Sequence, residues 1–218
     1  MNIVQKLSQD EKTYTQKAVK KTRINGRSYN EERKYKILSL DHIVTADGSI
    51  KVSKCESVIE VSMKFKENSR IINSCLQNEI TENKDSPIEL IGDIKSFKDY
   101  GLANFITKNK IFSMVIETTV INDDGNIYDL FYFGLNKILL NIKIDTEFCK
   151  NVYSRYVLPI SYTYAVFGNH YIVDPDFIEE NSCDSLVHIL KSSEEIVGII
   201  VEKCKSLDPY VLAELITK

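Results

Sequence analysis

The chain has 218 residues, enough for one large domain or two small ones with a core that needs no disulfide or metal staples. With 43% hydrophobic and 27% charged residues and a formal net charge of −3, the composition excludes disordered, collagen-like and coiled-coil proteins. No apolar run approaches the roughly 18 residues of a membrane span, and the N-terminal residues are too polar for a signal peptide.

The first third of the chain predicts one helix followed by strands. Ser8 and Glu11 fit a capping box, in which each side chain bonds to the other residue's backbone amide, so a helix is expected over about 8–21. Asn25-Gly26 then predicts a turn. Continuous and alternating apolar residues predict strands at 33–40, 49–53 and 57–66, with a hairpin turn at 47–48.

The middle of the chain predicts a long strand followed by a helix. Residues 70–78 fit either a strand or a helix, and 88–97 have the apolar spacing of a short amphipathic helix. Residues 111–121 are rich in β-branched side chains and predict a buried strand. The polar segment 122–126 must turn the chain, because the apolar residues from 127 to 142 then recur at helical spacing.

The last part of the chain repeats this order of strands and helix. Strands are predicted at 157–167 and 171–173 around a Gly168-Asn169 turn. An acidic loop, two strands and a closing helix then follow at 174–184, 186–190, 196–201 and 209–215, with Asp208 as the N-cap and Pro209 at the first helical position. Two successive sheet-plus-helix units without a glycine-rich linker predict one compact α/β (α+β) domain over 1–218.

Charge is distributed unevenly along the chain. Residues 1–36 carry ten basic and four acidic side chains, a net of +6, which leaves 18 basic and 27 acidic side chains, a net of −9, for the rest. A basic end on an acidic body indicates a local anion- or RNA-facing patch, or else a solvated helix face followed by a basic turn. Five cysteines scattered singly and three isolated histidines predict reduced intracellular thiols, no metal site and no cofactor.

Several short motifs occur in the order and spacing of one protein family. Residues 23–27 resemble its R-x-D-G-R turn, with Asn25 in place of aspartate. Its G-S…T-x-V/I hairpin, D-G-N-L-x-D-A turn, P-I-x-V-T strand and V-D-P/A element are similar to 48–59, 122–129, 158–163 and 173–175. Over about 7–216 the chain thus resembles the RNase PH-like subunits of the eukaryotic exosome ring. Residues 7–14 and 206–209 resemble the branch without a catalytic site of its own, akin to the archaeal exosome's inactive ring partner.

The resemblance implies an RNase PH fold (ribosomal protein S5 domain 2-like) and a mechanical role. Such subunits pair as heterodimers with other RNase PH-like exosome subunits in a hexameric ring, and they contact cap subunits and an associated 3′-to-5′ exoribonuclease. They guide single-stranded RNA through the ring's channel for processing and degradation. By resemblance we therefore expect a structural exosome core subunit of the nucleus (nucleolus) and cytoplasm, with no cofactor and no membrane.

Four basic residues near the N-terminus are predicted to contact RNA or a neighbouring subunit: Arg23, Arg27, Arg33 and Lys34. Lysine and arginine act mainly on RNA phosphates, so their contribution would be salt-dependent and independent of sequence. The alternative for Arg27 and Arg33 is that they bond turn carbonyls within the fold.

The resemblance also sets the expected catalytic status. Phosphorolytic relatives hold phosphate on a G-[ST]-R turn at a helix N-terminus, where backbone amides and an arginine neutralise the anion. Here that turn reads Gly125-Asn126-Ile127, and Ile127 supplies no charge. By resemblance, Asp174 matches the first of two aspartates in the relatives' acidic site, with Glu180 near the second. The alternative is that Asp174-Pro175-Asp176 caps a turn and that Glu179, Glu180 and Asp184 lie in solvent. We therefore expect a degenerate phosphate turn, a degenerate acidic site and no enzymatic activity.

Two alternative functions are kept beside this interpretation. One is an active phosphate-dependent 3′-to-5′ exoribonuclease, and the other is a stand-alone RNA-binding protein. Tyr162 and Tyr164 could stack on bases, but their alternating strand positions are more typical of cross-strand packing. His188 has no second ligand nearby and is predicted to be an ordinary strand residue.

Overall fold

The computed structural model describes residues 7–67, 100–106, 111–141, 159–192 and 195–217. Within these ranges the chain forms helices and two antiparallel sheets. The helices are α1 (Gln9–Val19), α2 (Ile127–Asn141), α3 (Phe177–Ser182) and α4 (Pro209–Ile216). The strands are β1 (Tyr35–Leu40), β2 (Gly48–Lys54), β3 (Ser57–Glu67), β4 (Tyr100–Ile106), β5 (Ile111–Asn122), β6 (Ile160–Phe167), β7 (His170–Val173), β8 (Ser185–Ser192) and β9 (Glu195–Glu202).

The first sheet has the strand order β1-β2-β3-β5-β4 and is antiparallel throughout. The register places Val52 opposite Ile59 and Ile50 opposite Val61, so both pairs point to the same face. These side chains are fully buried, as is Met63 two residues farther along β3. The alternation along β2 and β3 therefore builds one wall of the main core.

The second sheet has the order β7-β6-β8-β9, again antiparallel. Its β6–β7 hairpin turns at Gly168, whose φ of +63° is a backbone conformation that favours glycine. One face of β6 buries Ala165 and Phe167 against Val19 of α1, and the other buries Val166 against Leu215 of α4. Both faces of β6 and β8 are thus covered, which accounts for the apolar runs of these two strands.

Helix α2 lies against both sheets and sets the geometry of the site described below. Its buried residues Leu130, Leu135 and Ile138 join the core of the first sheet. Gly134 lets the helix approach closely, since a Cβ there would lie 3.3 Å from methyl carbons of Val52 and Val61. The helix also contacts β6, so its N-terminal end reaches the junction of the two sheets.

Most sequence-based element predictions are confirmed, and two need correction. The capping box of Ser8 and Glu11 is present at α1, and Asp208 accepts from the amide of Tyr210 at the start of α4. The acidic segment 174–184, expected as a loop, contains α3, which begins with a second capping box. Strand β4 was not predicted at all.

Some predictions fall outside what the structure tests. The segments 70–78 and 88–97 lie outside the described residues, and the single-domain assignment over 1–218 stays a prediction. None of the described helices has the length and apolar character to cross a lipid bilayer.

Candidate functional site

Asp174, directly after β7, is the centre of a buried charge network. It is completely inaccessible to solvent and has a φ of +51°. Its carboxylate accepts from the Arg33 backbone amide at 2.7 Å and from the Arg33 guanidinium at 3.0 and 3.1 Å. Nη1 of Arg27 donates at 3.0 Å, and Nζ of Lys54 lies 3.1 Å away. Three cations therefore converge on one carboxylate.

Arg23 forms a second buried ion pair beside the first. Its Nε and Nη2 donate to the two carboxylate oxygens of Glu179 at 2.8 and 2.6 Å. Its remaining donors reach backbone carbonyls, including those of Val173 and Asp174 at 2.9 Å each. The bidentate pair fastens the turn after α1 to helix α3, because Glu179 belongs to α3.

Lys54, at the end of β2, continues the network into the core. The side chain is fully buried, and Nζ donates to the Tyr35 hydroxyl at 3.1 Å while lying 3.7 Å from Asp129 of α2. Asp129 in turn accepts from the Thr163 hydroxyl at 2.7 Å, and Nδ1 of His188 lies 2.9 Å from that hydroxyl. The network thus joins both sheets through the first turn of α2.

The turn that begins α2 is occupied by the chain's own carboxylates. Gly125 and Asn126 both have positive φ, +83° and +58°. The amide of Gly125 donates to Asp123 Oδ1 at 3.0 Å, and that of Asn126 donates to Glu180 Oε1 at 2.6 Å. Ile127 is 3% exposed and packs in the core. An anion-binding helix start is therefore present, but internal side chains fill it.

The environment fixes the charge of Asp174. Burial alone would raise the pKa of Asp174, but the hydrogen bonds and positive charges of Arg33 and Lys54 outweigh burial and hold that pKa well below its usual range. At the turn, burial instead raises the pKa of Asp124, against the lowering effect of Arg33. Asp174 is accordingly an ionised, cation-bound group at neutral pH.

The structure brings three of the four predicted basic residues together and turns two of them inward. Arg23 and Arg33 are only 2% and 7% exposed, and their guanidinium groups are used within the fold. The prediction that they contact RNA or another subunit needs correction, because buried carboxylates bind them instead. The alternative interpretation, bonds to turn carbonyls, holds for Arg33 with Pro175 and for Arg27 with Glu31. Lys34 is exposed.

The predicted acidic site is also located, with one correction. Asp174 and Glu180 both bond to Asn126. Its side chain donates to Asp174, and its backbone amide donates to Glu180. Glu179 and Glu180, expected in solvent as one alternative, are 1% and 2% exposed. They are buried because α3 folds over the turn and supplies them as partners for Arg23 and Asn126.

Sequence reasoning missed Lys54 and Asp129. Lys54 carries no signal, because a lysine at a strand end is normally solvated. Asp129 carries a weak one, as an acidic residue within the otherwise apolar run of α2. Within the described ranges, no group of three or more His, Cys, Asp or Glu side chains is arranged to hold a metal ion.

Comparison with known proteins adds to this geometry. Residues 158–217 match the 3′ exoribonuclease family, domain 2. The chain is similar to the exosome complex component Rrp42 of Methanosarcina acetivorans, with 24% identity over 223 residues that cover 90% of this chain and 83% of the relative.

Three solved structures share the fold over most of their length. The Archaeoglobus fulgidus exosome with RNA bound to the active site gives a TM-score of 0.68 at 20% identity, covering 95% of this chain and 92% of that one. An archaeal exosome core gives 0.67 at 20% identity, with 95% and 91% covered. Rrp46 of rice (Oryza sativa) gives 0.60 at 14% identity, with 89% and 91% covered. The chain therefore has the predicted RNase PH-like fold, that of the exosome core structures, with two antiparallel sheets and helices packed on them.

Proposed function

We propose that this chain is a non-catalytic structural subunit of an exosome core ring, of the eukaryotic kind that works in the nucleus and cytoplasm. Support for the ring comes from similarity that extends over nearly the whole chain, to one curated exosome component and to exosome core structures. Support for the absence of catalysis comes from the charge network.

The observation that carries the proposal is the bond from the Asn126 amide to Glu180. In phosphorolytic relatives, by resemblance, the equivalent turn holds inorganic phosphate with amides and an arginine. In this chain a buried carboxylate already accepts from that amide at 2.6 Å. Phosphate would have to displace it, and a charge-assisted bond of this kind contributes about 1.5–3 kcal/mol.

The charges around the turn also oppose phosphate. Asp123 accepts from the neighbouring amide, and the position of the expected arginine is taken by the buried side chain of Ile127. Arg33 is bound to Asp174 and to Asp124 at 3.2 Å, and the other arginines of the described residues are likewise paired with carboxylates. A phosphate dianion at this turn would therefore meet carboxylates and no described arginine that lacks a carboxylate partner, and like-charge contacts of this kind cost several kcal/mol.

The acidic site is equally unsuited to proton transfer. A general acid must be protonated near neutral pH and must reach the substrate. Asp174 is ionised, because its pKa is held low, and it is shielded from solvent by Arg27, Arg33 and Lys54. Its role in this proposal is to fasten the N-terminal segment to the second sheet.

Exposed apolar edges support assembly with other RNase PH-like subunits. Strand β9 borders the second sheet, and its Val197, Ile199 and Val201 are 41%, 39% and 36% exposed. On the first sheet, β1 is also an edge strand and exposes Ile37 and Leu38. No other described strand pairs with either edge, and such edges with apolar side chains are sites at which another sheet can pair.

The experiment is a phosphorolysis assay on the chain alone and on the ring formed with its RNase PH-like neighbours. Labelled single-stranded RNA and inorganic phosphate are supplied, and release of nucleoside diphosphates is measured. We expect no release from the chain alone. We also expect the rate of the assembled ring to be unchanged when this chain carries Glu180→Gln, with assembly checked by size-exclusion chromatography.

Two results would argue for the alternative, an active exoribonuclease. One is diphosphate release from the purified chain, abolished by Asp174→Asn in protein that still folds by circular dichroism. The other is a lower rate of diphosphate release by an intact ring, seen only when the substitution is in this subunit.

A further inference from the structure

A cavity of about 620 Å³ lies beside the charge network, since Arg23 and Arg27 are among its lining residues. Its walls are the C-terminal end of α1, the turn at 26–29, the β6–β7 hairpin and Glu214 of α4. Volumes of about 300–1,000 Å³ are typical of ligand sites, so its size suits a nucleotide or a short stretch of a larger ligand.

Most of the charged side chains that line this cavity are cationic. Lys20, Lys21, Arg23 and Arg27 contribute to it, and Glu214 is the acidic side chain among its lining residues. Arg23 is neutralised by Glu179, but Lys20 and Lys21 are exposed and form no ion pair with any residue in the described part of the chain. Two exposed lysines without an ion pair among the described residues therefore line the cavity.

Arg27 adds a donor that the fold does not use. Its side chain is 13% exposed, and Nη1 donates to Asp174. Nη2 is buried, lies 3.6 Å from the nearest Glu179 oxygen, and has no hydrogen-bond acceptor among the described residues. A buried donor without an acceptor is unfavourable, and a ligand oxygen would supply the missing partner once a side-chain movement exposes Nη2 to the cavity.

Aromatic side chains stand beside these cations on fixed backbone. Tyr29 lines the cavity and is 60% exposed, while its backbone carbonyl accepts from the Val173 amide at 2.9 Å. Tyr171 lines the opposite wall, and its hydroxyl donates to Glu214 at 2.7 Å. That bond occupies one oxygen of the cavity's carboxylate and holds the ring in place.

We propose that this cavity binds a phosphate group of single-stranded RNA through Lys20, Lys21 and Arg27, with the adjacent base against Tyr29. A cationic groove with exposed aromatic rings is how proteins bind single strands without sequence preference. RNA as the source of the phosphate rests on the proposed function, whereas the anion site itself rests on the geometry. An acidic peptide would use the lysines but not an open tyrosine ring.

The test is fluorescence anisotropy with a labelled oligo(A) of about ten nucleotides, on the isolated full chain. Lys20→Glu with Lys21→Glu is expected to weaken binding about tenfold or more and, because one phosphate is no longer neutralised, to flatten the log–log salt slope by about 0.7. The matched control, Lys36→Glu with Lys64→Glu, reverses two exposed charges on the first sheet and is expected to change affinity less than twofold. Tyr29→Ala is expected to weaken binding about fivefold or more, and Tyr14→Ala on α1 is expected not to.

Competitors distinguish the ligand classes. Inorganic phosphate, AMP and a polyglutamate peptide are each titrated against the bound oligonucleotide. Equal affinity of the Lys20/Lys21 variant and wild type overturns the site, and displacement by the peptide at lower concentration than by unlabelled RNA overturns the assignment to RNA. Binding of AMP or phosphate without binding of the oligonucleotide assigns the cavity to free phosphate compounds and also overturns it. Because the measurement uses the isolated chain, its result does not depend on ring assembly or on phosphorolysis.

Discussion

At the scale of single residues, one buried carboxylate, that of Asp174, gathers the charges of the site. Asp174 has Arg27, Arg33 and Lys54 within 3.1 Å and is fully buried. Burying charged groups is unfavourable unless each finds a partner with good geometry. Removing this anion leaves each cation with only a longer ion pair, from Arg27 to Glu179 at 3.6 Å, from Arg33 to Asp124 at 3.2 Å and from Lys54 to Asp129 at 3.7 Å. Three ion pairs are therefore lost together, which costs more than the loss of a single bond.

Asp174→Asn is expected to destabilise the fold by about 3–5 kcal/mol at neutral pH. The folded-state pKa of Asp174 is lowered, so its contribution is present above the unfolded-state value near 3.9 and is lost as pH falls through the folded value. The stability gap between wild type and variant should accordingly shrink below about pH 4. Urea unfolding across pH 3–7 measures it.

The control for this prediction is Asp41→Asn, which changes an exposed aspartate at a positive φ that asparagine also tolerates. We expect it to change stability by less than about 0.5 kcal/mol at every pH. A constant gap between wild type and the Asp174 variant down to pH 3 would show that Asp174 is not held ionised by its neighbours.

At the scale of elements, local signals predicted what local interactions build. The caps of α1 and α4 lie within four residues of their partners, and both were predicted from Ser8, Glu11 and Asp208. Helix α3 has six residues, too few for an apolar period to emerge, although Asp176 and Glu179 formed a readable capping box. Strand β4 contains glycine and asparagine, which disfavour strands, and it forms by pairing with β5.

The site was predictable in its parts but not in its connections. The turn 125–127, Asp174 and the arginines were each singled out, but Arg33 meets Asp174 across 141 positions and Arg23 meets Glu179 across 156. Nothing local says which cation meets which anion over such separations, because the fold decides it. An arginine in a basic segment therefore reads as a surface charge until the acidic segment that buries it is placed.

The contact between the α2 turn and α3 permits only glycine at position 125. A Cβ on Gly125 would lie 2.5 Å from backbone atoms of Asp176 and Phe177, and its φ of +83° is strained for any side chain. Gly125→Ala is expected to destabilise the protein by about 3 kcal/mol or more, measured by urea unfolding. Gly26→Ala is the matched control, since φ is +78° there but no described atom lies within 4 Å of an added Cβ. We expect this variant to lose about 1 kcal/mol of unfolding free energy. Equal losses of stability in the two variants would mean that α3 shifts without cost to accommodate the Cβ at position 125.

At the scale of the whole molecule, the basic and acidic parts of the sequence pair with each other in the folded chain. The basic N-terminal segment, with its net charge of +6, sends Arg23, Arg27 and Arg33 into the acidic residues that follow β7. Three of the ten basic side chains of this segment are therefore paired inside the fold. Among the others, Lys20 and Lys21 line a cavity and Lys34 is exposed.

Association with another chain is then expected to depend on the apolar edge strands of the sheets. Strand β9 borders its sheet and presents Ile199 and Val201 at 39% and 36% exposure, so we expect the chain expressed alone to self-associate through this edge. Ile199→Lys with Val201→Lys places charge on the edge and should shift the chain towards monomer in size-exclusion chromatography with light scattering. Thermal stability should change little, because both side chains are already partly solvated.

Val44→Lys, at a residue 97% exposed on the β1–β2 connection, should leave self-association unchanged. A wild-type chain that is cleanly monomeric at high concentration would show that this edge is already satisfied, and the proposed ring would then have to assemble through other surfaces.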